Sequence, residues 1–201
     1  MDLRQRLKTE TAPLHDKIEQ SFLLKKIIQQ KMTREEYPLL IKQFYGFIKP
    51  CESLINSLPC KAILNNREKT AFLEQDLQVL GVPKNNLSSL PQCKRIPTLT
   101  EHEHVLGYLY VMEGATLGGQ VIGGILKNQL QITPHHGGKF FNSYGNNTKN
   151  MWHIFCHHLR SITDPEQQNT IFASACLTYS TLSHWLENFT ETPAWMTQKR
   201  L

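Results

Sequence analysis

Two groups of residues in this sequence are suited to chemistry: a histidine–carboxylate pair near the N-terminus and a glycine-rich segment in mid-chain. His15 and Glu19 stand four residues apart in TETAPLHDKIEQ, and in a helix that spacing puts both side chains on one face. Imidazole is a common metal ligand, and a carboxylate one turn away can orient the ring or a bound water. A lone helix histidine is also often structural, so the pair alone leaves both interpretations open.

The mid-chain segment 107–124, GYLYVMEGATLGGQVIGG, holds six glycines among mostly apolar residues. A glycine inside a helix costs about 1 kcal/mol relative to alanine, so six of them need a compensating reason. A membrane helix, a phosphate-binding loop, close packing between helices and a surface for a flat ligand are the four explanations that we consider.

The first two explanations fit poorly. Glu113 falls near the middle of the largely uncharged run 106–126, where an acidic side chain is costly in lipid. GATLGGQ has the Gly-x4-Gly frame of a phosphate-binding loop, but Gln120 stands where lysine is required and Val121 where serine or threonine is. Helix packing and a flat ligand therefore stay open.

The flat-ligand explanation rests on two glycines that are one helical turn apart. Gly114 and Gly118 share a helix face, and their missing side chains leave a shallow platform of backbone. Adjacent small residues at Gly118 and Gly119 also permit the helix to bend. Such a surface suits the oxygen-binding side of haem (heme), whose iron is usually held by a histidine on another helix.

TAPLHDKIE near the N-terminus, together with LYVMEGATLGGQVI in mid-chain, resembles the biliverdin-producing haem oxygenases and, within them, the bacterial branch found alongside bacteriophytochromes. The resemblance spans nearly the whole chain. It implies that haem is both cofactor and substrate and is opened to biliverdin, with release of carbon monoxide and ferrous iron. It also implies an external electron donor, a ferredoxin or a reductase.

The resemblance assigns roles to individual residues. His15 matches the axial iron ligand, Glu19 the acidic residue one turn beyond it, and Lys8 a basic residue that contacts a haem propionate. The residues implied on the distal helix are Gly114 and Gly118 over the bound oxygen, Gly119 and Gln120 completing the motif, and Tyr110 as a propionate hydrogen-bond donor. The aromatic residues expected around the pocket are Tyr179, Phe140, Phe141 and Tyr144, with core packing an equal interpretation for the last three.

One residue departs from the pattern of many haem oxygenases. They carry an aspartate directly after the first distal glycine, where it holds the water network that protonates bound oxygen, whereas this sequence has Ala115. Thr116 can hold a water but is no carboxylate. Two functions therefore stay open: an oxygenase with another proton route, and a protein that stores, delivers or senses haem without turnover. A related helical enzyme of thiamin or quinone metabolism would need a cysteine or carboxylate constellation that we do not identify.

The composition of the chain limits which other functions and cellular locations are compatible with the sequence. With 201 residues and 40% apolar content, we expect one domain over residues 1–201. The net charge of +5 is too small to indicate a nucleic-acid binder. Five cysteines without a CxxC pair and a polar N-terminus favour a cytoplasmic protein that is not attached to a membrane.

The elements that must position these residues are helices, because apolar residues recur with helical spacing and no run alternates with period two. We predict an all-α, haem-oxygenase-like bundle of seven or eight helices. The first helix is expected to run from Leu3 through Leu23 and to carry Lys8 and His15 on one face. Further helices are predicted after a Thr33–Glu36 capping box, with a kink or break at Pro50, and over residues 66–80, 148–162 and 165–189.

Overall fold

The computed structural model describes residues 2–190, and none of these residues lies in a β-strand. The eight α-helices are α1 Leu3–Glu10, α2 Ala12–Glu19, α3 Phe22–Ile28, α4 Tyr37–Ile55, α5 Thr70–Val79, α6 His102–Leu130, α7 Thr148–Arg160 and α8 Pro165–Asn188. Short 3-10 turns cover Lys61–Leu64, Lys84–Ser89, Phe140–Asn142 and Gly145–Asn147. The all-α prediction is confirmed. Met1 and residues 191–201 of the predicted domain lie outside the described residues.

The prediction of one continuous N-terminal helix is wrong, because the segment forms α1, α2 and α3. Pro13 lies in the first turn of α2, and a proline there cannot continue the hydrogen bonding of a preceding helix. The Thr11 hydroxyl donates to the carbonyl of Leu7 at 2.7 Å and helps to close α1. Lys8 and His15 therefore lie on separate helices and do not share a face.

Helix α4 begins after the predicted capping box. The Glu36 amide donates to the Thr33 hydroxyl at 3.3 Å, and the Thr33 amide donates to the Glu36 carboxylate at 3.1 Å. Pro50 does not break α4, which continues to Ile55. A proline has no N–H for the carbonyl four residues earlier, and the carbonyl of Gly46 instead accepts the Cys93 amide at 2.8 Å.

Helix α5 begins at Thr70, later than predicted, because a buried carboxylate fixes its first turn. Glu52 of α4 accepts the backbone amides of Lys69 at 2.7 Å and Thr70 at 3.0 Å. The helix ends before Gly81, whose φ of +93° is favourable only for glycine. Helix α8 begins as predicted, with the Asp164 carboxylate accepting the Glu166 amide at 3.0 Å and Pro165 in the first turn.

The glycines of α6 divide by their surroundings. A Cβ on Gly107 would lie 2.5 Å from the carbonyl oxygen of Ile171 in α8, and one on Gly119 would lie 2.9 Å from that of Phe141. These two glycines are needed for close packing. No described atom lies within 4 Å of a Cβ built on Gly118, Gly123 or Gly124, so packing does not account for them.

Replacement of Gly107 by alanine should lower the free energy of unfolding by about 1–3 kcal/mol, because the added methyl group forces α6 and α8 apart. Gly124→Ala is the matched control on the same helix. Since that position is open, alanine should be neutral or stabilise the protein by up to about 1 kcal/mol. Urea unfolding of both variants measures the difference, and equal effects would contradict the packing assignment.

Candidate functional site

One cavity brings together most of the residues singled out in the sequence. It is concave and mostly apolar, as small-molecule and cofactor pockets usually are. Helices α2, α4, α6 and α8 and the Phe140–Asn142 turn contribute to its lining, which consists largely of apolar side chains and glycine backbone. The acidic and basic side chains among the described lining residues are His15, Glu19 and Lys69.

Helix α2 supplies the metal-binding candidate. The His15 side chain is 51% exposed; its Nε2 lies 3.9 Å from a Glu19 carboxylate oxygen and its Nδ1 lies 3.8 Å from one of Asp16. Both distances exceed those of a hydrogen bond, so neither carboxylate fixes the ring directly. Within residues 2–190, one group of three histidine, cysteine or acidic side chains is close enough to share a metal ion, and it consists of His15, Asp16 and Glu19. Since the His15 side chain is half exposed, its imidazole is accessible as a ligand.

Helix α6 supplies a wall of bare backbone. Gly114, Gly118 and Gly119 line the cavity together with Ala115 and Thr116. A Cβ on Gly114 would meet only the Trp152 ring, at 3.8 Å, and one on Gly118 would point into open space. A side chain at Gly118 would therefore project into space that a ligand can occupy. These residues and His15 fit haem as a bound group, because they combine an imidazole of the kind that ligates iron with bare backbone against which a planar macrocycle can lie.

Eight of the predicted site residues line this cavity: His15, Glu19, Gly114, Gly118, Gly119, Phe140, Phe141 and Tyr179. The Tyr179 ring meets His15 edge-on, with 6.2 Å between the ring centroids. The cavity therefore joins the N-terminal histidine motif to the glycine motif.

Four other predicted residues are placed elsewhere. Lys8 is exposed on α1, and Tyr110 is buried beside Trp152, with 5.9 Å between the ring centroids. Gln120 donates its side-chain amide to the carbonyl of Gly145 at 3.1 Å. The Tyr144 hydroxyl donates to Glu113 at 2.6 Å. None of the four lines the cavity, and the propionate contacts of Lys8 and Tyr110 stay predictions.

Sequence reasoning missed a buried charge cluster beside the glycines. Glu113, which is fully buried, accepts from Arg67 through one carboxylate oxygen. Its other oxygen accepts from Lys69 at 3.0 Å and from Tyr144 at 2.6 Å. Burial lowers the pKa of Lys69, and the Glu113 carboxylate opposes that shift. Burial, reinforced by Glu113, raises the pKa of Tyr144.

A signal for this cluster was present in the sequence. A glutamate inside an apolar buried helix needs a cationic partner, because an unpaired buried carboxylate is very costly. The segment NREK at residues 66–69 contains both cations that Glu113 binds. From the sequence alone, Glu113 was recognised only as a residue too costly for a membrane helix.

Solved structures with the same architecture define the class of this protein as the haem-oxygenase fold. A haem oxygenase from Leptospira interrogans matches with a TM-score of 0.76 at 16% identity, covering 94% of this chain and 100% of its own. A haem oxygenase-2 from Synechocystis, solved with haem and NO, matches with a TM-score of 0.74 at 18% identity, covering 92% and 84%. A Shewanella denitrificans domain of unknown function with a haem-oxygenase-like fold matches at 0.70 and 13% identity, covering 94% and 91%.

The profile of the family described as "Heme oxygenase" matches residues 1–188, and this chain belongs to that family. No functionally curated protein matches the sequence. Within residues 2–190, no helix has both the length and the apolar character that crossing a membrane requires.

Replacement of Glu113 by glutamine should lower the free energy of unfolding by about 3–5 kcal/mol, because it leaves two buried cations without their carboxylate. Glu74→Gln is the control, since Glu74 pairs with the partly exposed Lys49 at 3.3 Å. That pair should contribute less than about 1 kcal/mol. Urea unfolding compares the two variants, and a Glu113 variant as stable as the Glu74 variant would contradict the importance of the cluster.

Proposed function

We propose that this protein is a haem oxygenase, which opens haem to biliverdin and releases carbon monoxide and ferrous iron. The observation that carries the proposal is a single cavity lined both by the accessible imidazole of His15 and by the bare backbone of Gly114 and Gly118. Family membership supports the same reaction class.

Haem is the substrate, and its iron supplies the centre at which dioxygen is activated. His15 would hold the iron through a neutral imidazole, a ligand that pushes electrons less strongly than the thiolate of oxo-forming oxygenases. Gly114 and Gly118 would leave room for dioxygen, and the apolar side chains of the lining would limit the access of bulk water. Phe140, Phe141 and Tyr179 would contact the ring edges.

The electrons would come from a separate ferredoxin or reductase, because the sequence contains no flavin- or nicotinamide-binding motif. The net charge of +5 favours docking of an acidic donor.

The resemblance of the distal sequence also supports membership of the branch found alongside bacteriophytochromes, in which a small residue stands at the position of Ala115.

A second function is favoured by one observation. Ala115 lines the cavity where many haem oxygenases carry a carboxylate, so the water network of those enzymes is not available in the same form. A protein that stores, delivers or senses haem without opening it would have the same fold and the same iron ligand.

The His15→Ala variant should lose the native axial ligation of ferric haem and at least about tenfold in biliverdin formation, since even indirect partners of a metal ligand contribute 10- to 100-fold. His153→Ala is the control, because His153 is exposed on α7 and does not line the cavity. Soret titration and electron paramagnetic resonance of the haem complexes provide the comparison. An unchanged haem spectrum in His15→Ala would remove His15 as the ligand.

The Gly118→Leu variant should bind haem at least about tenfold more weakly or fail to open it, because the leucine fills the space that the macrocycle and dioxygen need. Gly124→Leu introduces the same side chain at an exposed position of α6 outside the cavity, and it should retain both properties. Haem titration followed by ascorbate-driven turnover in air measures both. Full activity of Gly118→Leu would contradict the platform.

A further inference from the structure

Reduction of dioxygen consumes protons, so an oxygenase needs a proton route into its cavity. The α6 wall has no acid of its own, because Ala115 has no polar group and the Thr116 hydroxyl donates to the carbonyl of Glu113 at 2.6 Å. Among the described lining residues, the acidic and basic side chains are His15 and Glu19 of α2 and Lys69. A proton route that does not pass through α2 must therefore use the hydrogen bonds between Lys69 and solvent.

The hydrogen bonds of Lys69 lead to an open surface cleft bordered by Glu52, Glu74 and Tyr144. The Tyr144 hydroxyl accepts from the Lys69 ammonium at 2.7 Å and donates to Glu113 at 2.6 Å. Lys69 in turn donates to Glu113 at 3.0 Å. One phenol thus separates a residue of the inner cavity from solvent in the cleft.

We propose that Tyr144, Glu113 and Lys69 form a proton relay from the surface cleft to the haem cavity and take the part of the carboxylate that position 115 lacks. The proposal rests on the proposed function. Lys69 releases a proton to an acceptor in the cavity. The Tyr144 hydroxyl then turns from Glu113 to the resulting amine and passes its proton to it while taking a proton from cleft water, so no tyrosinate forms beside Glu113 and one proton crosses in each cycle. Glu113 stays ionised, and its hydrogen bonds with Tyr144 and Lys69 are restored at the end of the cycle.

The charges around Lys69 suit this role. Its ammonium donates to the Arg67 carbonyl at 2.6 Å as well as to Glu113 and Tyr144, so each of its three protons has an oxygen acceptor. The charged groups that face it are Arg67 from the segment before α5, Glu113 from α6 and Glu52 from α4. Burial lowers the pKa of Lys69, which makes the ammonium a better acid than an exposed lysine. Release of a proton exchanges one of these three bonds for a bond to the cavity acceptor.

The sharpest test removes only the phenol oxygen. Tyr144→Phe keeps the ring and the Lys69–Glu113 pair, so it should fold and bind haem with the affinity and Soret spectrum of the wild type. Biliverdin formation should slow by about 100-fold or more, and the ratio of its rates in ordinary and deuterated water should rise. Tyr45→Phe is the control, because it deletes a phenol that donates to a carboxylate, Glu74, at 3.3 Å without reaching the haem cavity.

A second variant gives a readout that is independent of turnover. Lys69→Met removes the cation of the cavity wall, which should raise the pH at which water bound to ferric haem deprotonates, as followed by absorbance.

A wild type that binds haem but never opens it would overturn the proposed function. A wild type that turns over, with Tyr144→Phe equal to it and to Tyr45→Phe in rate and isotope effect, would overturn the relay alone. An unchanged midpoint in Lys69→Met would also overturn the relay.

Discussion

The buried ion pairs of Glu113 with Arg67 and Lys69 are the constraint on which the site depends. Burying a carboxylate is very costly unless cations and hydrogen-bond donors surround it, so the segment before α5 and the loop of Tyr144 must come to this point of α6. Glu113 directly precedes Gly114. The same contacts that satisfy the charge therefore fix the position of the glycine platform relative to the rest of the fold.

Two different physical requirements explain why α6 contains so many glycines. Gly107 and Gly119 let neighbouring backbone approach closely, whereas Gly114 and Gly118 leave space at the wall of the cavity. Close packing therefore accounts for Gly107 and Gly119, and a surface for a flat ligand stays our proposal for Gly114 and Gly118. Helix α6 packs closely on α8 at Gly107 and borders the cavity over residues 111–122, so it needs glycines of both kinds.

Local signals in the sequence were sufficient for much of the fold. The capping box of Thr33 and Glu36 and the start of α8 at residue 165 were predicted correctly. The N-terminal helix was wrong because the apolar spacing across Pro13 was given more weight than its missing N–H. The cluster of Glu113 was missed because its partners Lys69 and Arg67 lie 44 and 46 residues away, and the sequence does not show which distant cations reach a buried acid.

The proposed function depends on the cavity that joins His15 to the α6 glycines, and the decisive experiment is turnover of haem in that cavity. One equivalent of hemin is added to the purified protein, and a reductant is then added in air, with catalase present to remove free peroxide. We predict a Soret band stoichiometric with protein that decays as the absorption of biliverdin appears and carbon monoxide is released. A stable Soret band without ring opening would contradict the assignment as an oxygenase, and a protein that forms no specific haem complex would contradict the site itself.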